Sequence, residues 1–391
     1  MNYFDIERLN NKKIKLGEVP IIIPSNGYSK PINNGESLID DGGNEVGTKG
    51  DMYSKIIIDK ILRDGCLDND PRPVYVDFYE GAKYFEKENL IILPNEEVIK
   101  IDKNAKVTEK ENGIEVKSKA HTISVNQGIE CTYDLTKNET PLSSLRPTAY
   151  KTSIAEIIWI YVLESNDLVE FDELLGISTW DQDHKINNWW KAWALKDKNG
   201  NYILNEKGHP TIGATYGETI RRRHMLKKEV IEQIRNNPDG RRNICSLWQV
   251  DDFNEMHGLK PCAFQTIWNV RRGWDGVDYL DMTLIQRSSD FATAGVINQF
   301  QYIILQKMVA KELGYVPGYF TWKPINVQLY DRHIANAIEM MNREPITFES
   351  TIITDYDKDF YDIRPEDISV KGYPRELVKK KNPQLSFELG E

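Results

Sequence analysis

A cysteine flanked by proline introduces one of the apolar runs of the chain: Cys262 follows Pro261 and opens the segment 263–270. Nucleophilic attack requires the thiolate, and a free thiol with a pKa near ~8.5 is mostly protonated at neutral pH unless a cation or a hydrogen bond favours the anion. Arg287, in the polar cluster 286–290, is a candidate for that cation. A lone cysteine beside a strand is more often a buried core residue, so these residues alone leave both interpretations open.

A second candidate is a carboxylate inside an apolar helix pattern. Glu156 lies among Ile154, Ile157 and Trp159, in a stretch whose periodicity predicts a helix over 152–163. Burying a carboxylate costs free energy unless it is paired or has a chemical function. A glutamate on a helix surface is the ordinary alternative, and the helix pattern by itself does not decide between them.

The charge balance limits the ligands that such a site would take. The chain has a formal net charge of −10, which disfavours nonspecific binding to nucleic acid because that binding needs a broad basic surface. A single phosphate needs only a local arginine cluster, and Arg241, Arg242 and Arg287 are candidates for it. We therefore expect a small anionic molecule rather than nucleic acid as a partner.

Length and composition indicate a globular protein with a substantial core. The chain has 391 residues, of which 40% are hydrophobic, enough for one large domain or two ordinary ones. No apolar stretch reaches membrane-spanning length and the first residues lack the layout of a signal peptide, so we expect a cytoplasmic protein. The cysteines show neither CxxC spacing nor a dense framework, so we expect neither a bound metal nor a disulfide scaffold.

The elements that must position these residues mix helices and strands in an α+β pattern. Apolar spacing after Met52 predicts a helix that ends near Gly65, and residues 296–313 have the pattern of a long apolar helix. Further helices are predicted over 152–163, 218–235 and 332–341, and strands over 120–125, 244–249, 264–270, 282–287 and 318–330.

The candidate residues lie in short motifs spread over much of the chain. These motifs are Ala155-Glu156-Ile157-Ile158-Trp159, Thr179-Trp180-Asp181, Tyr216-Gly217, Asp239-Gly240-Arg241-Arg242, Pro261-Cys262, Gln286-Arg287-Ser288-Ser289-Asp290, Asn298, Gln301-Tyr302 and Leu329-Tyr330. In this order they resemble the thymidylate synthase family. The resemblance implies an α+β fold in which a mixed β-sheet packed by helices backs onto the sheet of an identical subunit, with a catalytic domain over residues 52–391.

Three segments depart from that domain. Residues 1–51 contain many Asn-Gly and Gly-Gly turn signals and predict an irregular N-terminal arm. Residues from about 73 to 119 are predicted to form short strands where the family has only a short loop, an extra β insertion for which a surface elaboration is favoured over a second binding module. Residues from about 184 to 210 predict an inserted loop, whose tryptophans either cover the pocket or only pack the loop.

The resemblance implies a one-carbon transfer to C5 of a pyrimidine nucleotide, with 5,10-methylenetetrahydrofolate as co-substrate and no metal. Cys262 would attack C6 and make C5 nucleophilic, and Glu156 would move protons through ordered water. Asn298 matches the asparagine that recognises the pyrimidine; its amide donates to O4 and accepts from N3–H, which favours dUMP over dCMP. Arg287 and Tyr216 complete the predicted catalytic set.

The resemblance also implies where the ligands bind. Arg241 and Arg242 match the pair that reaches the phosphate bound by the neighbouring subunit, so the active unit would be a homodimer. The predicted dUMP-binding residues are Arg72, Arg241, Arg242, Arg287, Ser288, Asn298, Gln328 and Tyr330. The predicted folate-binding residues are Trp180, Tyr216, Leu259 and Asp290.

Three departures from the family pattern concern the product. Gln328 stands where a histidine is usual, Asp183 where a second folate-side tryptophan is usual, and the sequence ends in Glu391 rather than in an aliphatic residue. A tail that closes less completely would admit water to the reacting carbon. Water capture would give 5-hydroxymethyl-dUMP and tetrahydrofolate, whereas hydride transfer gives dTMP and dihydrofolate.

We therefore predict a deoxyuridylate hydroxymethylase like those of bacteriophages, which would act in the host cytoplasm. Ordinary thymidylate synthase is the alternative. A noncatalytic relative that binds nucleotide or RNA is less favoured, because Cys262, Glu156, Arg287 and Asn298 are all present and the chain is acidic.

Overall fold

A mixed β-sheet is the layer on which the rest of the chain is built. The computed structural model describes residues 27–67, 73–178, 180, 184–254 and 259–390. The strands in these residues are β1 Leu38–Ile39, β2 Glu45–Val46, β3 Cys66–Leu67, β4 Val74–Glu80, β5 Lys83–Phe85, β6 Leu90–Ile92, β7 Val98–Lys100, β8 Lys106–Lys110, β9 Gly113–Lys119, β10 Thr122–Val125, β11 Cys131–Asp134, β12 Asn243–Ser246, β13 Ala263–Arg272, β14 Asp278–Asp290, β15 Val316–Tyr330, β16 Thr351–Ile353 and β17 Ser369–Lys371.

The helices lie between and after these strands. The α-helices of the described residues are α1 Lys49–Asp64, α2 Tyr150–Tyr161, α3 Leu168–Leu174, α4 Gly217–Arg223, α5 Glu232–Asn236, α6 Val250–Phe253, α7 Val296–Leu313, α8 Ile334–Asn342 and α9 Arg375–Lys381. Shorter turns of helix occur at Leu135–Lys137, Trp189–Trp193, Lys227–Ile231, Phe291–Gly295, Asp331–His333, Phe360–Asp362 and Pro365–Asp367.

Among the described residues the main sheet has seven strands in the order β12-β13-β14-β15-β10-β3, with β11 pairing to the first part of β15. Strands β14 and β15 run parallel and the other neighbours run antiparallel. Helix α7 packs against both β14 and β15, and its Gln306 amide donates to the backbone oxygens of Leu280 and Tyr319. Helix α2 packs in turn on α7, so the largest buried side chains lie between the helices and the sheet. The α+β fold predicted from the sequence is confirmed.

The start of helix α1 is held by a capping box. Thr48 accepts a hydrogen bond from the Asp51 amide, and the Asp51 carboxylate accepts one from the Thr48 amide. The same fully buried carboxylate accepts hydrogen bonds from the Ser143 hydroxyl, 2.7 Å, and from the Ser144 amide and hydroxyl, 2.6 and 2.8 Å. This junction therefore ties α1 to the segment that leads into α2.

Residues 74–119 form a separate β module. Strands β4, β9 and β8 make one antiparallel sheet of the module and β5, β6 and β7 make another, within the part of the chain that the structure describes. Ile91, Ile101, Ile114 and Val116 form its own small core. The strands of this module were expected from the sequence at 74–78, 90–93, 98–101 and 114–116, whereas β5 and β8 were not.

Several boundaries differ from the expectations. Helix α7 has the predicted bounds, but the helix expected over 218–235 is broken. His224 adopts a left-handed conformation with φ 51° after α4, and a π-helical turn at Lys227–Ile231 separates it from α5. Helix α1 begins at Lys49 rather than after 52, and β1 and β2 form a hairpin within the expected arm. The remainder of that arm, residues 1–26, lies outside the described residues.

Within the described ranges, every helix is too short or too polar to cross a membrane.

Candidate active site

A cavity of about 400 Å³ opens where β13, β14 and β15 meet the N-terminal part of α7. Its lining combines a thiol, carboxyls, amides and aromatic rings from distant parts of the chain. The lining residues are Pro73, Glu156, Ile160, Trp189, Trp190, Trp193, Tyr216, Leu259, Cys262, Ala263, Gln286, Arg287, Ser288, Ser289, Asp290, Thr293, Ala294, Asn298, Gln301, Tyr302, Gln328, Tyr330, Leu389 and Gly390.

Cys262 immediately precedes β13, beside an irregularity in the pairing of β13 with β14. The register shifts between Ala263 and Gln265, a bulge of the kind that redirects side chains next to sites. Arg287 Nη2 lies 3.5 Å from the Cys262 sulfur and 2.7 Å from the Lys260 carbonyl oxygen. Burial raises the pKa of the Cys262 thiol above its ordinary range, and the positive charge of Arg287 offsets part of that rise. In the unliganded protein the thiol form is therefore favoured at neutral pH.

Tyr216 contacts the backbone of Cys262. Its hydroxyl accepts a hydrogen bond of 3.0 Å from the Cys262 amide. Tyr216 has a φ of 46°, which is unfavourable for a residue with a side chain and costs on the order of 1–3 kcal/mol. Gly217 follows because a Cβ there would lie 2.2 Å from the Ser165 carbonyl oxygen. The strained backbone conformation at Tyr216 thus places the Tyr216 hydroxyl against the backbone amide of Cys262.

Glu156 points from helix α2 into the same cavity. The residue is 4% exposed, and its Oε2 accepts a hydrogen bond of 3.0 Å from the Trp189 indole. Burial raises the pKa of Glu156 to about 7, while the neighbouring groups of Gln301, Trp189 and Trp190 act in the opposite direction. A carboxyl with a pKa near neutrality can both give and take a proton under physiological conditions.

A chain of hydrogen bonds orients the amide of Asn298. The Trp322 indole, which can only donate, reaches Gln286 Oε1 at 2.9 Å, so the other end of that amide, Nε2, donates to Asn298 Oδ1 at 3.0 Å. Asn298 Nδ2 then donates to Gln301 Oε1 at 3.2 Å. Because Gln301 also faces Glu156, the amide that would recognise a base and the carboxyl that would move a proton belong to one connected set.

A second cavity of about 590 Å³ adjoins the first and shares Glu156, Trp189, Asn298 and Leu389 with it. Its other walls come from the segment before α2, from the start of α7 and from residues 384–389. We call residues 384–390 the tail segment. Its Leu389 and Gly390 also line the first cavity, so the tail segment forms part of the wall of both cavities.

Most of the residues predicted for ligand binding lie together. Arg287, Ser288, Gln328, Tyr330 and Leu259 all line the first cavity, as do the other predicted catalytic residues and Asp290. Asp290 Oδ1 is buried 3.5 Å from His333 Nδ1, and Asp290 Oδ2 accepts a hydrogen bond of 2.6 Å from the Thr293 hydroxyl.

The prediction for Trp180 needs correction. Trp180 lines neither cavity; its ring packs against His184 and His209, with ring centroids 5.1 and 6.5 Å apart. Trp189 lies against Glu156 instead, because the helical turn Trp189–Trp193 brings the loop back over α2. The motif predicted Trp180 as a folate-side residue, whereas the tryptophan that lies at the Glu156 carboxyl is Trp189, from a loop of unpredicted path.

The remaining predicted residues are outside the cavity or outside the described part. Arg241 and Arg242 are exposed before β12 and do not line the cavity of their own chain. Arg72 lies outside the described residues. Sequence reasoning missed Gln286, Gln301 and Trp193 as parts of the site; the cluster of tryptophans at 189–193 was the available signal for the last.

No group of three or more His, Cys, Asp or Glu side chains among the described residues is placed to hold a metal ion. What the described site offers is therefore a buried thiol beside a guanidinium, a carboxyl titrating near neutrality, an oriented amide and two adjoining cavities.

Sequence comparisons agree with this geometry. The family model described as thymidylate synthase matches residues 100–383. A thymidylate synthase of Lactococcus lactis subsp. cremoris (strain SK11) is 38% identical over 260 residues, which cover 66% of this chain and 83% of that protein. A thymidylate synthase of Streptococcus pneumoniae (strain 70585) is 33% identical over 344 residues, 88% of this chain and 99% of that protein.

Solved structures show the same fold. The thermostable thymidylate synthase A from Bacillus subtilis superposes with a TM-score of 0.59 at 25% identity, covering 88% of this chain and 99% of that chain. Thymidylate synthase from T4 phage superposes with a TM-score of 0.55 at 24% identity, covering 70% of this chain and 92% of that chain.

Proposed function

This chain belongs to the thymidylate synthase family, and from that premise we propose that it transfers a one-carbon unit from 5,10-methylenetetrahydrofolate to C5 of dUMP. The observation that carries the proposal is the position of Cys262, 3.5 Å from the Arg287 guanidinium and in one cavity with Glu156 and Asn298. Thiol, cation, proton carrier and base-recognising amide are the groups that the reaction needs.

Cys262 acts as the nucleophile in this proposal. Its sulfur adds to C6 of the uracil ring, which places electron density on C5 and makes that carbon able to attack an electrophile. Because burial raises the pKa of the thiol, the anion needs help at the moment of attack. Arg287 supplies a positive charge beside the sulfur, and its backbone amide donates to the Cys262 carbonyl at 2.9 Å.

Glu156 and Asn298 act on the ring from the other side. With a pKa of about 7, Glu156 passes protons to and from the ring through water. Asn298 donates to O4 and accepts from N3–H, the pattern that uracil presents. The hydrogen bond from Gln286 fixes which end of the Asn298 amide carries the oxygen, so a cytosine ring, which lacks the N3 proton, is disfavoured.

The residues present also fit a folate beside the nucleotide. The second cavity is large enough for an aromatic ligand and meets the first at Glu156 and Asn298, and Asp290 lines the first cavity. Methylenetetrahydrofolate would supply the one-carbon unit and, for a methyl product, the hydride. Trp189 and Leu389 would cover it and exclude water.

We propose dTMP as the main product, with dihydrofolate formed by hydride transfer. The relatives that resemble the chain over most of its length carry the name thymidylate synthase. The structure also supplies aromatic cover where the sequence suggested a gap, since Trp189 and Trp193 line the cavity although Asp183 replaces a tryptophan.

Hydroxymethylation of dUMP is the second candidate. It is favoured by the residues beside the cavity, where the apolar Leu389 is followed by Gly390 and the charged Glu391. Gly390 and Glu391 add no apolar surface beside Leu389 to exclude water, and water would then capture the methylene carbon in place of hydride.

The test is mass spectrometry of the nucleotide after incubation of the purified protein with dUMP and methylenetetrahydrofolate, with dihydrofolate followed by its absorbance near ~340 nm. Formation of dTMP with equivalent dihydrofolate supports the main proposal. Formation of 5-hydroxymethyl-dUMP without dihydrofolate supports the second candidate. Absence of both products, with Cys262→Ala behaving as the unaltered protein, would contradict both.

We also propose a homodimer in which Arg241 and Arg242 complete the phosphate site of the partner. Both arginines are exposed in the single chain, and Tyr319 and Ile325 of β15 expose 42% and 48% of their surface on the uncovered sheet face. Mixing inactive Cys262→Ala with an Arg241→Ala, Arg242→Ala double variant should restore activity, since one site of each mixed dimer is intact. Failure of mixing to restore any activity would contradict sharing.

A further inference from the structure

The tail segment is held at several points along its length. The Asn336 amide donates to the Ser386 carbonyl oxygen at 2.6 Å, and His333 Nε2 lies 2.6 Å from the Glu388 carbonyl oxygen. Gly390 lies so close to the Tyr330 ring that an added Cβ would be 2.5 Å from it. These contacts hold the segment in the wall of both cavities, so whatever stabilises the segment also fixes that part of the wall.

Arg332 holds the same segment from the side of the β module. Its Nη1 lies 2.5 Å from a Glu388 carboxylate oxygen. The other contacts of this guanidinium all point into the module: Nη1 and Nη2 donate to the two oxygens of Asp77 at 3.0 and 2.9 Å, and Nη2 donates to Ser118 at 3.2 Å. The guanidinium also lies 3.9 Å from the centre of the Tyr75 ring.

The module is therefore joined to the rim of the site by one guanidinium that contacts strands β4 and β9 on one side and the tail segment on the other. Only 20% of the Arg332 side chain is exposed, against 55% of the Glu388 side chain. The arginine is therefore held by its contacts with the module, and Glu388 binds to it from the exposed side. The planar guanidinium of arginine has several donors and can contact the module and the tail segment at once, which a single ammonium group cannot do. Tyr75 adds a hydrogen bond of 2.6 Å to Asp331.

We infer that Arg332 is a positioning residue through which the β module holds the tail segment closed over the folate side of the site. On this inference the module takes part in closure, whereas a surface elaboration was expected from the sequence. The inference concerns the tail segment itself and goes beyond the proposed reaction.

The decisive variant is Asp77→Asn. Asp77 pairs with Arg332 and lies in the module, 311 positions before Glu388 in the sequence. If the module holds the tail through Arg332, the loss of the Asp77 charge will loosen the tail at a distance. Glu388→Gln removes the direct contact, and Arg332→Lys keeps the charge but not the fork.

The measurement is hydrogen exchange of peptides from the tail segment, read by mass spectrometry on the full chain without ligands. We expect about 3- to 30-fold faster exchange of the tail amides in Asp77→Asn, Glu388→Gln and Arg332→Lys, the range of coupling through shared contacts. Two matched controls remove surface carboxylates whose partners do not touch the tail: Asp278→Asn, paired with Arg272, and Glu376→Gln, paired with Lys379. These controls should exchange like the unaltered protein.

The same hydrogen-exchange data also show whether a variant unfolds the module. If peptides of β9 also exchange faster in Asp77→Asn, Ser118→Ala replaces it as the module variant, with a smaller expected acceleration of the tail. Tail exchange equal to that of the unaltered protein in a folded module variant, together with acceleration in Glu388→Gln, would overturn the inference. It would mean that the tail is held without the module.

A kinetic measurement adds a second readout. We expect the KM for methylenetetrahydrofolate to rise about 3- to 30-fold in Asp77→Asn while the KM for dUMP changes less than about twofold, because closure covers the folate side. Hydrogen exchange needs no turnover. An inactive protein would therefore count against the proposed function while the exchange data still decide the role of Arg332.

Discussion

Two buried carboxyl groups show how one chemical type serves structure in one region and chemistry in another. Asp51, at the junction of α1 with residues 143–144, accepts four hydrogen bonds from neighbours that the structure describes. Glu156, at the cavity, is as deeply buried but accepts its hydrogen bond from Trp189 and faces open space. Burial raises the pKa of both groups.

The difference lies in the donors around each group. At Asp51 the donors stand on both oxygens, so the carboxylate holds two segments together and has no capacity left for a ligand. At Glu156 the hydrogen bonds do not offset burial, so the charged form costs folding free energy, and the carboxyl faces the cavity as an available proton site. A variant of Glu156 should therefore lower activity more than stability, and a variant of Asp51 should lower stability more than activity.

The largest expected effect is on turnover in Glu156→Gln. An amide of the same shape cannot exchange protons, so we expect kcat to fall about 10²- to 10⁴-fold, the range of general acid–base catalysis. Binding of dUMP, measured by calorimetry, should change little because the glutamine retains the shape. A variant with more than about a tenth of the original kcat would show that Glu156 does not carry the proton.

The second effect is on stability in Asp51→Asn. The new NH2 group would face either the Thr48 amide and the Ser144 hydroxyl or the Ser143 hydroxyl and the Ser144 amide, and we expect the free energy of unfolding to fall by about 3 kcal/mol in urea titrations. The activity of the folded fraction should stay within about twofold. A stability within about 0.5 kcal/mol of the unaltered protein would remove the contrast with Glu156.

The third prediction uses pH. The folded pKa of Glu156 is about 7 against an ordinary 4.5, so the unfolded chain releases this proton first as pH rises. The group therefore costs no stability below about pH 4.5, and its cost grows between pH 4.5 and 7 and then stays constant. Glu156→Gln removes this cost, so the variant should gain stability relative to the unaltered protein across that window. A difference that does not vary with pH would contradict the raised pKa.

The smallest effect is expected for Trp189→Phe. The phenyl ring keeps most of the apolar cover but loses the indole donor that favours the ionised form of Glu156. The pKa of Glu156 should rise further, and the acidic limb of the pH profile of kcat should move to higher pH. Trp193→Phe is a matched control, because Trp193 lines the same cavity but is not a donor to Glu156. An equal shift of the acidic limb in Trp189→Phe and Trp193→Phe would mean that ring packing, and not the indole donor, causes the effect.

The fold could be predicted well where local pattern and tertiary structure agree. Helix α7 was predicted with its observed bounds because a mostly apolar run ends at Gly314, which takes a φ of 76°. The helix expected over 218–235 was broken because His224 adopts a left-handed conformation that residue type alone does not reveal. Pairing between distant strands, such as β14 with β15, has no local signature.

The site could be predicted to the extent that single residues carry the chemistry. Cys262 and Glu156 were identified from their motifs and lie in one cavity. Trp189 was not assigned to the carboxyl because the path of its loop depends on packing against α2. Gln301 was not assigned a role, although its contact with Asn298 follows from their spacing on α7. Only the structure shows that Gln286 of β14 reaches the same amide.

The contacts of Lys55 have a consequence for how the chain folds during synthesis. Lys55 of α1 donates to the carbonyl oxygens of Met341 and Arg343, at sequence separations of 286 and 288 residues. The ribosome therefore produces α1 long before the end of α8, and the apolar face of α1 has to wait for its partner. Pairings of such separation slow folding and leave apolar surface exposed to other chains. Yield of soluble protein should accordingly depend on translation speed and chaperone supply.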